Sequence, residues 1–213
     1  GVALSDAVLA TDAVLEETDI PSELSVEIGG SYEDQQDMFG DLIMLLAMII
    51  ILVYIVMASQ FESFMSPFVI MFSIPFAFVG VFMGLWVTGT PLGTMGMIGI
   101  LILMGIVVKN GIVLIDYTIL MRERGKSVAE ASVIAAKSRL RPILMTTLTT
   151  VLGMIPMAVG QGEGSEMWRS LGMVVAWGLS VSTLVTLVII PTVYASMASW
   201  QERRAARKAA RNA

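Results

Sequence analysis

A lysine in the middle of a long apolar run is the feature that most limits what this chain can fold into. From Gly96 to Met121 the sequence continues for 26 residues in which Lys109, Asn110 and Asp116 are the strongly polar positions. At about 1.5 Å per residue, a helix of that length crosses a hydrocarbon core of roughly 30 Å. Lys109 then falls near mid-bilayer, where insertion costs on the order of 2.5–3.5 kcal/mol. A residue so placed normally faces a protein interior or a water path and has a partner. Lys109, Asp116 and Gly105 share one helical face, but Lys109 and Asp116 are about 10 Å apart along the axis and cannot pair within one straight helix.

The rest of the composition agrees with a membrane protein. Of 213 residues, 56% are hydrophobic and 15% charged, and the mean hydropathy is +0.81, which nearly excludes a soluble domain. Apolar runs at about 41–59, 67–88, 96–121, 142–160 and 171–198 are each long enough to span. Apart from the run carrying Lys109, none has a mid-span Asp or Glu. The counter-ion of Lys109 is therefore expected from outside these residues. A lysine in this position either glues two helices or takes part in ion or proton movement, and intramembrane ionisable groups usually mark transport paths.

Charge distribution sets the expected orientation. Arg122, Arg124, Lys126, Lys137, Arg139 and Arg141 lie between the third and fourth runs, and Arg203, Arg204, Arg207, Lys208 and Arg211 follow the fifth. Both segments are expected to be cytoplasmic by the positive-inside rule. The amino-terminal segment, the 88–94 loop and the 160–169 loop then face outward. Residues 1–41 hold eleven Asp or Glu and no Lys or Arg. The low isoelectric point of about 4.7 therefore reflects an acidic outer segment and gives no support to a nucleic-acid partner. Cysteine is absent, so no disulfide framework arises.

Along the chain, residues 5–19 show a helical pattern that ends at Ile20-Pro21. Leu24, Val26 and Ile28 alternate with polar residues before Gly29-Gly30, the pattern of a short strand and turn. Such a remnant could not bury a core alone, and the chain reads as part of a longer polypeptide. Residues 58–67 form a tight connector between the first two spans. In the second, Gly80 and Gly84 make a small-xxx-small pair that allows close helix approach, and Pro75 is a candidate kink. Trp86 and Trp200 suit interfacial aromatic belts. Ser127-Val-Ala-Glu130 fits a capping box opening a short helix that leads to Pro142. Arg139, Thr146 and Gly153 recur every seven residues, forming a stripe toward mid-membrane. The plainer reading is that the threonines bond carbonyls one turn back while the arginine snorkels.

Four ordered motifs carry a resemblance. They are Tyr54-Ile-Val-Met-Ala-Ser-Gln-Phe-Glu-Ser63, Ser73-Ile-Pro75, Gly105-Ile-Val-Val-Lys-Asn-Gly-Ile-Val-Leu-Ile-Asp-Tyr117 and Arg139-Leu-Arg-Pro-Ile-Leu-Met-Thr-Thr147. Together they resemble the carboxy-terminal membrane half of resistance-nodulation-division (RND) efflux pumps, in particular the hydrophobe/amphiphile exporter branch. The resemblance implies an all-α polytopic bundle holding helices eight to twelve of twelve, with an α+β periplasmic remnant before it. Residues 1–37 would be the tail of the second porter domain, 38–199 the five-helix transmembrane domain and 200–213 a basic cytoplasmic tail. It further implies a proton-driven, trimeric antiporter of the bacterial inner membrane, working with a periplasmic adaptor protein and an outer-membrane channel. An amino-terminal half would supply an intramembrane Asp pair. By motif match Lys109 is the tenth-helix lysine, and Arg139 and Thr146 are relay residues of the eleventh. With Asn110 and Asp116 they form the candidate proton-relay set.

Three other functions compete. Seventeen methionines admit a heavy-metal (copper/silver) exporter of the same superfamily, although scattered Met is more often packing. A non-transporting structural subunit is a second alternative. An intramembrane enzyme is the weakest, because there is no His or Cys and no nucleophile with a base nearby. No cofactor or protein-bound metal is expected.

Overall fold

The structure, a computed structural model, describes residues 8, 10, 11, 13–15, 31–160, 162 and 164–212. Residues 8, 10, 11 and 13–15 are helical, within the helix expected over 5–19. The strand expected near residues 24–28 lies outside the described residues. The following elements are α1 (Ser31–Gln60), α2 (Met65–Met71), α3 (Ser73–Thr88), α4 (Thr94–Glu123), α5 (Val128–Val159) and α6 (Ser165–Asn212). Among the described residues, five stretches are long and apolar enough to cross a membrane: Asp37–Gln60, Met65–Thr88, Thr94–Glu123, Val128–Val159 and Met167–Trp200. The fold is an all-α polytopic bundle. The chain divides into two compact units, Gly1–Leu45 and Leu46–Ala213, and the site lies in the second.

The second span is two helices. α2 ends and α3 begins at Phe72, three residues before the proline that the sequence marks as the kink. Pro75 has no N–H to give the carbonyl four residues back, at Met71, so the ladder fails upstream of the ring. Ser73 fills part of the gap, its hydroxyl donating to the Ile70 carbonyl at 2.6 Å.

Helix α6 is the hub, packing against α3, α4 and α5. Small residues make this possible. A Cβ on Gly80 would lie 2.8 Å from Val181 Cβ and 3.0 Å from the Trp177 carbonyl oxygen, and one on Gly84 would overlap the Trp177 side chain. The Gly80/Gly84 pair is thus a contact surface for α6. From the other side, a Cβ on Gly178 would run into Leu103 and lie 2.8 Å from Val81 Cγ2, while one on Gly172 would meet the Ala158 backbone nitrogen at 2.7 Å. Lipid offers no hydrophobic drive for helix association, so this close van der Waals fit supplies much of the cohesion.

Helix α5 corrects a second expectation. Ser127 opens it through the capping box: the Glu130 N–H donates to Ser127 Oγ, and the Ser127 N–H donates to Glu130 Oε2, both at 3.3 Å. The helix then runs unbroken through Pro142 to Val159 instead of ending at the proline. Pro142 forfeits one ladder bond, to Ser138, and the other bonds of a helix about 48 Å long carry it through. Arg139 and Thr146 therefore stand on one continuous helix.

Candidate functional site

On α4 the buried residues form one side: Gly99, Leu103, Val107, Asn110, Leu114 and Thr118 are among them. Ile102, Gly105, Lys109, Asp116 and Leu120 are exposed. Since successive residues turn about 100°, the Lys109-Asn110 pair is divided between the two sides. Lys109 points away from the core. Asn110, 9% exposed, faces into it, next to Gly111, where an added Cβ would lie 2.8 Å from Ile70 and 3.1 Å from Ile190. A Cβ on Gly105, one turn from Lys109, would meet nothing within 4 Å. The lysine thus stands on a groove-like stripe that these helices leave uncovered.

Helix α5 carries a matching open stripe. Thr146, Thr149 and Gly153 are exposed, and a Cβ on Gly153 would also meet nothing within 4 Å. The threonine hydroxyls bond the preceding turn: Thr146 donates to the Ile143 carbonyl at 2.9 Å, Thr149 to Met145 at 2.8 Å and Thr150 to Thr146 at 2.9 Å. Their oxygen lone pairs remain able to accept a hydrogen bond. The two helices meet at Arg139, whose guanidinium carbon lies 4.7 Å from the centroid of the Tyr117 ring, beside Asp116. Arg139 Nε is buried without a hydrogen-bond partner. The arginine is thus held against an aromatic face instead of simply reaching for water.

Chemically, this surface offers an ammonium, a guanidinium and hydroxyl acceptors. Asp116 is its one carboxylate, about 10 Å along the helix from Lys109. It suits the docking of an anionic group. Among the described residues no group of three or more His, Cys, Asp or Glu is placed to hold a metal ion.

Comparison with known proteins places these helices. The model of the AcrB/AcrD/AcrF family matches residues 1–198. The chain belongs to this family. It is 40% identical to the swarming motility protein SwrC of Bacillus subtilis over 96% of its own length and 20% of that protein. It is 34% identical to the multidrug resistance protein MdtC of Proteus mirabilis, over 99% of this chain and 21% of that one. A crystal structure of a heavy metal efflux pump superposes with a TM-score of 0.79 at 32% identity, covering 93% of this chain and 20% of the pump. The chain therefore spans about a fifth of the length of its relatives. It forms the membrane region of an RND transporter, a multi-pass inner-membrane protein.

Two features of this RND segment escape reading by motif. Tyr117 lies 22 residues from Arg139 in sequence, and only the antiparallel α4–α5 hairpin brings them together. The buried hydroxyl seam between α5 and α6 is the other: Thr147 and Thr183 share a 3.1 Å hydrogen bond, with Ser182 and Thr186 also buried. A run of four threonines in a span signals such a seam without saying which one faces inward.

Proposed function

We propose that this chain is the lysine-bearing part of a proton-driven efflux antiporter whose cargo is hydrophobic or amphiphilic organic compounds. The carrying observation is Lys109, uncovered on the Gly105–Lys109–Asp116 stripe of a bundle whose other spans have no mid-span carboxylate. A facing helix from the remainder of the transporter supplies the missing anion, an Asp pair. Deprotonated, the pair holds the ammonium. Protonation removes that attraction and shifts the helices toward the alternative packing. Thr146 and Arg139 line the route toward one membrane face, Asp116 lies near its end, and Asn110 fixes α4 from the core side. The protein works as a carrier, without covalent chemistry on its cargo and without a cofactor.

The working unit is a homotrimer joined by a periplasmic adaptor protein and an outer-membrane channel. The basic residues at 122–141 and beyond Trp200 lie in the cytoplasm, and residues 160–169 lie outside. A cysteine at Ser165 should react with an impermeant thiol reagent added to intact spheroplasts. Reaction confined to inverted vesicles would reverse this orientation.

Likeness to a heavy metal efflux pump supports a second reading, with metal cations as cargo. The two separate in a strain lacking its own pumps and expressing the full-length transporter. Organic export predicts raised tolerance to dyes and detergents that is lost when the proton gradient is collapsed. Tolerance to metal salts alone would select the second reading.

A further inference from the structure

A cleft remains outside the relay. It lies where α1 ends, α2 begins and the apolar part of α6 runs out, so it sits at one membrane interface. Its volume is about 430 Å³, and Tyr54, Ser63, Phe64, Met65, Phe68, Met197 and Trp200 line it. The walls are chiefly apolar and aromatic, and the Tyr54 hydroxyl is turned to the Phe64 carbonyl at 3.3 Å. The neighbouring turns of α1 leave Ile51, Leu52, Ile55 and Val56 exposed, so the cleft opens onto an apolar surface.

One cation stands against a lining residue. The Arg204 guanidinium lies 3.7 Å from the centroid of the Trp200 ring. Stacked in this way it keeps its in-plane N–H donors free for a planar or tetrahedral oxyanion. Arg207 is exposed, and beyond Trp200 the sequence holds five Lys or Arg against one acidic residue, Glu202. An open apolar cleft whose lining indole carries a stacked guanidinium matches one chemistry. We propose that this cleft binds a single anionic phospholipid, with an acyl chain among Phe64, Phe68 and Met197 and the phosphate at Arg204.

A bound lipid of this kind would tie the end of α6 to the α1–α2 connector. The inference needs only the membrane-spanning bundle and is independent of the direction or cargo of export.

The test uses the full-length transporter in mild detergent and native mass spectrometry, with phosphatidylglycerol or phosphatidylcholine of matched acyl chains added. Phosphatidylglycerol should be retained about fivefold more tightly, the effect of roughly one basic residue on an anionic headgroup. Arg204→Gln should remove that preference while Arg211→Gln preserves it. Met197→Trp, which fills the cleft, should weaken retention of both lipids. Equal retention of the two lipids by the unaltered protein would overturn the proposal, as would a preference that survives Arg204→Gln or retention that survives Met197→Trp.

Discussion

At the scale of single residues, environment divides groups that look alike in sequence. Lys109 and Asn110 are adjacent and both polar, yet one is exposed and the other buried. Thr146 and Thr147 divide in the same way, the second bonded to Thr183 inside the bundle. Arg139 is the residue whose surroundings were least legible, because its partner is an aromatic ring on another helix. A cation over a ring is worth about 0.5–2 kcal/mol, more where water is scarce. Tyr117→Leu should therefore lower the thermal stability of the detergent-solubilised transporter by about that amount, and Tyr117→Phe, which keeps the ring, should lower it less. Equal losses in the two variants would show that the ring face does not matter.

At the scale of elements, the spans were readable and their facing was not. Five apolar runs marked the helices, with ends within several residues of the observed ones except where α5 continues upstream through Pro142. In a bilayer the lipid-facing side is as apolar as the core, so no hydrophobic period tells the two apart. Glycines carry the missing information. Gly84 and Gly178 mark close crossings, whereas Gly105 and Gly153 mark surface with open space beside it. Gly84→Leu should cost about 1–3 kcal/mol through overpacking against Trp177, measured as a lower unfolding temperature. Gly105→Leu should leave the packing of α4 against α6 intact but reduce efflux by the full-length transporter, because it occupies the surface where a facing helix is proposed to dock. Normal efflux in that variant would place the docking surface elsewhere.

At the scale of the whole molecule, membership of the AcrB/AcrD/AcrF family was legible from four spaced motifs, since each lies on a different element and their order fixes the topology. The choice between organic and metal cargo was not legible, because relatives named for multidrug resistance and for heavy metal efflux share these helices. The coupling proposal makes a sharper demand than either name. It requires that Lys109 respond to carboxylates that this chain does not contain. The most direct measurement is proton-coupled drug efflux in cells carrying equal, correctly assembled amounts of the full-length transporter with Lys109 unaltered or replaced by Ala, Met or Arg. Without the ammonium, the facing carboxylates lose their opposite charge and hold their protons more tightly. With Arg, the charge stays but the donor geometry changes. Loss of nearly all efflux in the Ala and Met variants, with little rescue by Arg, is the predicted result, and near-normal efflux in the two neutral variants would show that Lys109 serves packing alone.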